Sequence, residues 1–314
     1  MKTCLITGSN GLLGQKLVYN LINRTDINLI ATSIGENRLI NKSGYTYEPL
    51  DITNKQEVEN IIAKYKPDVI INTAAMTNVD ACETKREECW ALNVTAVKNF
   101  VDAIASDVQR PTSDIKLPTQ FIHLSTDFIF DGEKGSEYLE TDTPNPQSYY
   151  ALSKWEGEKV LMQSDIKWAV ARTIIVYGIV DNMSRSNIVL WAKDALTKGQ
   201  TINVVDDQFR APTLAEDLAE GCISIADKGA TGVYNLSGKE TMSVLDLVYC
   251  VADFWKLDKS LINPIKSNTL NQAAKRPLRT GFIIDKAKRE LAYAPHSFAE
   301  GLQILDKQLS LINR

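Results

Sequence analysis

Short apolar runs alternate with amphipathic helical stretches through the first half of this 314-residue chain. The apolar runs predict strands at Thr3–Thr7, Leu29–Thr32, Val69–Asn72, Phe121–Ser125 and Trp168–Arg172. The stretches between them predict helices at Gly11–Leu21, Lys55–Tyr65, Cys89–Ile104 and Tyr149–Met162. Uniformly apolar strands separated by helices are typical of a parallel sheet that is covered on both faces. The predicted fold class is therefore α/β, with a Rossmann-type doubly wound parallel sheet.

The alternation becomes irregular after Arg172. The helix Leu214–Ala226 and the strand Val233–Ser237 still fit the sheet, whereas the remaining stretches, Asn187–Val205 and Met242–Arg314, suggest a second, smaller lobe. We therefore expect two parts that are interleaved along the chain. The predicted dinucleotide-binding domain comprises residues 1–172 plus 214–238, and the predicted substrate-binding lobe comprises residues 173–213 plus 239–314.

Composition excludes several classes of function. The net charge is −4 and the pI about 5.4, without the basic stripe that nucleic acid or an anionic membrane would require. No apolar run is long enough to span a bilayer, and the strand-like KTCLITG opens the chain where a signal peptide would be apolar. Five cysteines without a CxxC spacing and two histidines favour neither a disulfide framework nor a metal site. A cytoplasmic location is the resulting expectation.

A glycine-rich segment, TGSNGLLG, joins the first predicted strand to the first predicted helix. Its glycines, Gly8, Gly11 and Gly14, would let the backbone approach a pyrophosphate, toward which the helix N-terminus directs N–H groups. The spacing is G-x-x-G-x-x-G rather than G-x-G-x-x-G, and an ordinary tight turn is the alternative. We expect cofactor contacts from these glycines and from their neighbours Asn10, Leu12 and Leu13.

The end of the second strand bears on the choice of cofactor. A site that prefers NAD usually places an acidic residue there, to bind the ribose 2′-hydroxyl. This chain has Thr32 and Ser33 instead, and Arg38 follows. Small polar residues with an arginine suit a 2′-phosphate, so NADPH is predicted, with NADH as the alternative. In that alternative Arg38 is a solvated loop residue and Glu36 supplies the acidic group.

Two further strand ends are candidates for cofactor contacts. Asp51 and Ile52 follow the strand-like YTYEPL, where an adenine edge could be bound. Asn72, Ala74 and Ala75 end the next strand, and their small size leaves room in the crevice beyond the strand carboxyl ends. Helix capping and tight packing are the alternative explanations for both ends.

The segment SYYALSK contains a candidate catalytic pair. Tyr150 and Lys154 are four residues apart and share one face of a helix, whereas Tyr149 lies on another face. Tyrosine and lysine are common in helices, so the pair alone is a weak signal. It gains weight because Ser125 and Thr126 end the fifth strand, at the same crevice as the glycine-rich turn.

Taken together, TGSNGLLG, NTAA, STD, YxxxK and DQFRAPTLAEDLA resemble the extended branch of the short-chain dehydrogenase/reductase superfamily over essentially the whole chain. Within that branch, STDFIFDG, TNVDACE and DQFRAPT most resemble the dTDP-4-dehydrorhamnose reductases. The resemblance implies reduction of the 4-keto group of a nucleotide-linked 6-deoxy sugar by NADPH, and a possible homodimer.

The same resemblance implies roles for individual residues. Tyr150 would protonate the developing alkoxide, and Thr126 would hold the carbonyl oxygen. Lys154 would hydrogen-bond the nicotinamide ribose and lower the pKa of Tyr150. Asn93 matches the asparagine that the family keeps in its active site, and Asn93 and Ser125 would contact the cofactor.

Three departures from the family pattern affect the predicted substrate site. Phe128 replaces a tyrosine, Ile175 replaces a sugar-stacking tryptophan, and Arg210 replaces a glycine. These changes remove a hydroxyl and a stacking face and add a guanidinium. Arg210 and Arg276 are candidates for a diphosphate or carboxylate contact, with surface salt bridges as the alternative. The predicted substrate-binding residues are Thr126, Asp127, Phe128, Ile175, Arg210 and Arg276.

Other functions stay open. A sugar-nucleotide 4-epimerase would keep NAD through each turnover, whereas a 4,6-dehydratase would need a glutamate after Asp127, where this chain has Phe128. A reductase of a carbonyl compound other than a sugar is a further alternative. Relatives of this fold also include a non-catalytic, NADP-binding regulatory subunit of methionine adenosyltransferase. The joint presence of Thr126, Tyr150 and Lys154 favours an enzyme.

Overall fold

The computed structural model of the protein describes residues 1–108, 118–182 and 186–312. The first part of the chain contains β1 (Lys2–Thr7), α1 (Leu12–Leu21), β2 (Ile27–Ser33), β3 (Thr46–Pro49), α2 (Lys55–Tyr65), β4 (Val69–Asn72), α3 (Val79–Thr84), α4 (Arg86–Trp90), α5 (Ala96–Val108), β5 (Gln120–Thr126), α6 (Tyr149–Met162) and β6 (Lys167–Thr173). The second part contains β7 (Val176–Tyr177), α7 (Ile188–Thr197), β8 (Ile202–Val205), β9 (Phe209–Arg210), β10 (Thr213–Leu214), α8 (Ala215–Lys228), β11 (Gly232–Asn235), β12 (Met242–Ser243), α9 (Val244–Trp255), β13 (Ile262–Ile265), β14 (Arg279–Thr280), α10 (Asp285–Leu291) and α11 (Phe298–Ile312).

A seven-stranded sheet forms the centre of the molecule, in the order β11-β6-β5-β4-β1-β2-β3. Every neighbouring pair is parallel. Helices α1, α8 and α10 bury apolar side chains against one face, and α2, α5 and α6 bury theirs against the other. This arrangement confirms the predicted doubly wound α/β fold. Because all the strands are parallel, their carboxyl ends lie at one edge of the sheet, where doubly wound folds bind ligands.

Local capping explains why two helices match their predicted bounds. Asn54 precedes α2, and its side chain accepts hydrogen bonds from the N–H groups of Gln56 and Glu57. Ser148 precedes α6 and accepts one from the N–H of Ala151 at 3.3 Å. Such caps satisfy N–H groups that have no partner in the first turn of a helix. The Ser148 cap therefore fixes where the helix that carries the candidate catalytic pair begins.

The predicted single helix Cys89–Ile104 is wrong in one respect. The structure has α4, then a π-helical turn over Ala91–Thr95, and then α5. Asn93 lies in the wide turn and is fully buried, and its Oδ1 accepts a hydrogen bond from the N–H of Met76 at 2.9 Å. A π-turn adds a residue to one turn of a helix and commonly occurs near functional sites. The apolar periodicity of the segment does not reveal this insertion.

A second apolar core is built by the later helices. Helices α7 and α11 pack against α9, with Val189, Leu247, Val251 and Leu305 among the buried side chains. Short strand pairs, which the sequence did not predict, complete this lobe: β7 with β10, β8 with β13, and β9 between β12 and β14. We propose that this second core is the predicted substrate-binding lobe. Helix α10, however, packs on α8 and β11 in the sheet core, so a division along the two cores would place α10 with the sheet.

The predicted domain ranges also include residues 109–117, 183–185, 313 and 314, which lie outside the described residues. Within the described ranges, no helix combines the length and the apolar character that crossing a bilayer requires.

Candidate active site

A cleft of about 620 Å³ opens at the carboxyl edge of the sheet. This volume lies within the range of roughly 300–1,000 Å³ that small-molecule sites occupy. Residues predicted for the cofactor and for the substrate line the same cleft. The predicted residues that it brings together are Asn10, Gly11, Leu12, Leu13, Ala75, Ser125, Thr126, Asp127, Phe128, Tyr150, Lys154 and Ile175.

The glycine-rich turn has the geometry that a dinucleotide requires. Gly8 has a φ of +66°, and a Cβ there would lie 2.8 Å from the N of Ala74. A Cβ on Gly14 would lie 2.2 Å from the carbonyl oxygen of Gly8. Gly8 and Gly14 therefore allow the close backbone packing within the turn and against Ala74. Gly11 and the start of α1 line the cleft. A bare backbone at a helix N-terminus suits a pyrophosphate.

An unpartnered hydroxyl also points to a ligand. Ser125 is buried at the end of β5, and its Oγ has no hydrogen-bond partner within residues 1–108, 118–182 and 186–312. Buried hydroxyls are normally hydrogen-bonded, so a ligand bound in the cleft would supply the missing partner of this one. The turn and Ser125 together fit a dinucleotide cofactor.

The loop after β2 is tied to the same turn. Asn10 accepts a hydrogen bond from the N–H of Arg38 at 2.8 Å and donates one to the carbonyl of Glu36 at 2.9 Å. Arg38 is not among the residues lining the cleft, but its backbone lies next to the glycine-rich turn. Thr32 is buried and donates to the carbonyl of Ile6 at 3.1 Å, so it is turned away from the loop.

The three predicted catalytic residues meet on one wall of the cleft. Tyr150 and Lys154 lie on α6 and are buried, and Thr126 ends β5. The hydroxyl of Thr126 hydrogen-bonds the phenol of Tyr150. The ammonium of Lys154 donates to the carbonyl of Leu124 at 2.6 Å and lies 3.3 Å from Nε2 of His123. Strand β5 therefore positions both side chains of α6.

The charge states of this wall follow from burial. Burial raises the pKa of Tyr150, and the hydrogen bond between Tyr150 and Thr126 opposes the rise only in part. The family resemblance implied that Lys154 lowers this pKa, and that role stays a prediction; in the structure the ammonium is directed toward Leu124 and His123. The phenol therefore stays protonated at neutral pH and can act as a proton donor. Burial also lowers the pKa of Lys154 to about 8, while the charge of Glu158 opposes this.

A buried ion pair lies beneath the wall. Asp127 accepts a hydrogen bond from the hydroxyl of Thr126 at 3.0 Å and another from Thr280, and its Oδ2 lies 3.7 Å from Nε of Arg210. Burial raises the pKa of Asp127, and Arg210 opposes this rise. Arg210 is itself buried and does not line the cleft. Arg210 therefore contacts other protein groups, and its predicted contact with a diphosphate or a carboxylate stays a prediction.

Apolar side chains, among them Phe128 and Ile175, also line the cleft. The ring of Phe128 meets the ring of Tyr150 edge-on, with centroids 5.9 Å apart. The guanidinium of Arg210 lies 5.5 Å from the centre of the Phe128 ring and so holds it from behind. Ile175 has a φ of +31°, a conformation that β-branched residues rarely adopt and that often occurs at functional sites.

Two predicted asparagines lie behind the cleft rather than in it. Asn93 is fully buried, and its Nδ2 donates to the carbonyl of Met76 at 3.1 Å and to the hydroxyl of Ser153 at 2.9 Å. It thereby ties the chain after β4 to α6. Asn72 is buried between Thr7 and His123. Both positions support the wall without lining the cleft.

Other predicted residues lie further from the cleft lining. Ala74 packs behind the glycine-rich turn, and Ile52 belongs to the core beneath α2 and α5. Asp51 accepts hydrogen bonds from the N–H and the hydroxyl of Thr53, at 2.9 and 2.7 Å. Arg276 forms a two-pronged ion pair with Asp80, at 3.1 and 2.6 Å.

The structure adds residues that the sequence did not single out. Thr173 lines the cleft at the end of β6, where it pairs with Thr126 in register, and its hydroxyl has no partner within the described part of the chain. Asn187 lines the cleft as the cap of α7. His123 lies behind Lys154. The sequence could have indicated Thr173, because a hydroxyl residue at the carboxyl end of a strand was the signal that indicated Ser125 and Thr126.

Comparison with known proteins agrees with this geometry. A family model described as "RmlD substrate binding domain" matches residues 1–310. The chain is similar to a dTDP-4-dehydrorhamnose reductase of Aggregatibacter actinomycetemcomitans, at 31% identity over 96% of this chain and 98% of the relative. It is also similar to the methionine adenosyltransferase 2 subunit beta of Mus musculus, at 26% identity over 92% of this chain and 90% of the relative.

The fold is also similar to that of a solved structure. The dTDP-4-dehydrorhamnose reductase of Bacillus anthracis, in complex with NADP, matches with a TM-score of 0.80 and 25% identity, over 98% of this chain and 100% of that one. The match of the family model over nearly the whole chain confirms the resemblance that the motifs indicated. The chain belongs to the RmlD substrate-binding domain family.

Proposed function

We propose that the protein is an NADPH-dependent reductase of the 4-keto group of a nucleotide-linked 6-deoxy sugar, of the dTDP-4-dehydrorhamnose reductase type. One observation carries this proposal: the buried Tyr150, hydrogen-bonded to Thr126, lines the same cleft as a glycine-rich turn that suits a pyrophosphate. The family membership and the named reductase relatives support the same function.

The roles of the chain's own residues follow from their positions. The backbone of Gly11, Leu12 and Leu13 would hold the pyrophosphate of the cofactor at the start of α1. When bound, the dihydronicotinamide supplies hydride to the carbonyl carbon of the sugar. Tyr150 donates its phenolic proton to the carbonyl oxygen. Thr126 hydrogen-bonds that oxygen, and Lys154, which lines the cleft, would hydrogen-bond the nicotinamide ribose of the cofactor.

NADPH is the proposed cofactor. The relative from Bacillus anthracis binds NADP, and the loop that carries Arg38 is fastened to the glycine-rich turn through Asn10. An arginine there suits a 2′-phosphate. NADH is the alternative, and the ratio of the two apparent affinities in a fluorescence titration decides between them.

The apolar wall bears on the substrate. Phe128 and Ile175 present carbon to the cleft, whereas Asp127 turns its carboxylate toward Thr126, Thr280 and Arg210. A 6-deoxy sugar has a methyl group in place of a hydroxyl, and such a wall accommodates it without leaving a polar group unpaired. We therefore propose a deoxy sugar rather than a fully hydroxylated one.

The test is the loss of NADPH absorbance when purified protein is mixed with dTDP-4-keto-6-deoxy-L-mannose. Tyr150→Phe should lower the rate by roughly 100-fold or more, because it removes the proton donor. Tyr149→Phe is the matched control, since this neighbour removes a hydroxyl outside the cleft lining, and it should keep near wild-type activity. Equal rates in both variants would contradict the proposed role of Tyr150.

A second candidate is a regulatory subunit that binds the cofactor without turnover. The similarity to the methionine adenosyltransferase 2 subunit beta favours it. It predicts tight NADPH binding, no oxidation with keto sugars, and a stable complex with a methionine adenosyltransferase in size-exclusion chromatography. We prefer the reductase, because a binding role gives no reason for Thr126, Tyr150 and Lys154 to converge.

The setting follows from the proposed function. All five cysteines are free thiols, which fits a reducing compartment such as the cytoplasm. A homodimer stays a prediction, and light scattering of the purified protein tests it.

A further inference from the structure

His123 is a buried titratable group for which the proposed reaction has no role. It lies on β5 and does not line the cleft. Its Nε2 is 3.3 Å from the ammonium of Lys154, and its Nδ1 is 3.0 Å from the amide nitrogen of Asn72. Both ring nitrogens therefore have a partner, and one of these partners is a proposed catalytic residue.

The contacts continue across the sheet. Asn72 on β4 is the register partner of His123 on β5, and Thr7 on β1 is the register partner of Asn72. The hydroxyl of Thr7 lies 2.6 Å from Oδ1 of Asn72. A chain of buried side chains thus runs over three adjacent strands, from the residue before the glycine-rich turn to Lys154. Buried polar groups that are linked in this way orient one another.

The hydrogen-bond rules allow only two consistent directions for this chain. If Lys154 is an ammonium, it donates to Nε2 of His123. The ring proton is then on Nδ1 and donates to the amide oxygen of Asn72, whose nitrogen donates to Thr7. If Lys154 is neutral, it gains a lone pair that can accept from Nε2–H; Nδ1 then accepts from the amide nitrogen, and the hydroxyl of Thr7 donates to the amide oxygen.

We propose that His123 and Asn72 are positioning residues for Lys154, and that the protonation state of Lys154 sets the direction of the whole hydrogen-bond chain. One proton separates the two states. It leaves Lys154 for solvent through the cleft, while the ring proton of His123 changes from Nδ1 to Nε2 and the amide of Asn72 turns over. The role in catalysis rests on the proposed reductase function, whereas the coupling itself does not.

The acceptors around Lys154 explain how His123 would orient its ammonium. The ammonium of Lys154 has three N–H groups, and Leu124 and His123 accept two of them inside the protein. Its third N–H is left for the cleft, which Lys154 lines. Without an acceptor at His123, the ammonium would be free to rotate and would share its N–H groups differently. His123 therefore aims the charge of Lys154 at a bound ligand.

Three other titratable groups lie near Lys154. Cys89 approaches from α4, and Tyr150 and Glu158 lie on α6 itself. Glu158 is fully buried and forms an ion pair with Arg172 at 2.7 Å. Burial and the nearby Lys154 lower the pKa of His123 well below its usual value, so the ring stays neutral and only its tautomer can change.

The test uses the fact that the chain has only two histidines. In ¹⁵N-labelled full-length protein, NMR spectra of the imidazole nitrogens report the tautomer directly, and His296→Asn assigns the signals of His123. Between about pH 6 and 10, His123 should change from the Nδ1–H to the Nε2–H tautomer with a midpoint near the Lys154 pKa of about 8. A tautomer that stays constant in the wild type, or that changes in the same way in Lys154→Met, would overturn the proposal.

A kinetic comparison tests the positioning role separately. His123→Leu removes the acceptor and should lower kcat by roughly 10-fold with little change in KM. His123→Gln offers a side-chain oxygen to the ammonium and should recover most of this loss. Equal kcat values for the two variants would refute the positioning role. If the wild type shows no turnover with any keto sugar, the reductase proposal fails, and the NMR titration still decides the coupling.

Discussion

Replacing Arg210 with methionine tests whether this residue supports the site or binds the substrate. In the structure Arg210 is buried, and its guanidinium donates to the carbonyls of Phe209, Pro277 and Leu278 at 2.7, 2.5 and 3.2 Å. Its charge also faces the carboxylate of Asp127 at 3.7 Å. Methionine fills much of the same volume but leaves these acceptors without a donor and Asp127 without a cation.

The expected loss is large because the pair is buried. Breaking a buried ion pair from one side costs about 3–5 kcal/mol. The separation of 3.7 Å exceeds hydrogen-bond length, which places the estimate near the lower limit of about 3 kcal/mol. At roughly 2–4 °C per kcal/mol for a large domain, Tm should fall by about 6–12 °C.

The deficit should also depend on pH. Burial already raises the pKa of Asp127, and loss of Arg210 raises it further. When the folded-state pKa of a group lies above its unfolded value, the group's contribution to stability is complete below the unfolded pKa. That contribution is lost as the pH rises through the folded-state pKa. The variant should therefore approach the wild-type Tm in acid and diverge from it toward neutral pH.

Thermal unfolding followed by circular dichroism measures the effect, and Arg276→Met is the matched control. Arg276 makes its ion pair with a half-exposed Asp80, so that variant should lose only about 1 kcal/mol or less. An Arg210→Met protein with unchanged Tm and a raised KM for the sugar nucleotide would refute this reasoning and restore Arg210 as a substrate contact.

Three further predictions concern the cleft. Gly14→Ala should weaken NADPH binding by at least about 10-fold in a fluorescence titration, because its Cβ would lie 2.2 Å from the carbonyl oxygen of Gly8; unchanged affinity would exclude the turn as the pyrophosphate site. The pH profile of kcat/KM should fall above about pH 8, since Lys154 loses its charge there, and Lys154→Arg should abolish that fall; a profile unaffected by Lys154→Arg would assign the limb to another group. Asn93→Leu should lower the free energy of unfolding by about 2 kcal/mol, because the partly buried N–H and carbonyl of Met76 lose their partner; urea denaturation measures this, and an unchanged midpoint would contradict the prediction.

Local signals in the sequence were sufficient for the framework of the fold. Helices α2 and α6 have the predicted bounds, because Asn54 and Ser148 cap them and the apolar periodicity fills them. That Tyr150 and Lys154 share one face likewise follows from their four-residue spacing on a helix. Features of this kind depend on neighbours within a few residues, which a sequence displays directly.

Other parts of the site depend on partners that are distant in sequence. From the sequence, Arg210 was a candidate for a diphosphate or carboxylate contact or for a surface salt bridge. Its partners in the structure include the carbonyls of Pro277 and Leu278, almost 70 residues later. His123 contacts Asn72 only because β4 and β5 pair in one register. No periodicity records such pairings, so the sequence indicated the wall of the cleft and missed the layer that supports it.

The most direct test of the central claim is the fate of the hydride. NADPH carrying deuterium at C4 of the dihydronicotinamide is incubated with the full-length protein and dTDP-4-keto-6-deoxy-L-mannose, and the sugar product is analysed by NMR and mass spectrometry. The proposed function predicts a single deuterium at C4 of the sugar and a new C4 hydroxyl, with both lost in Tyr150→Phe. Recovery of the unlabelled keto sugar, with NADPH bound but not oxidised, would contradict the reductase function on this substrate.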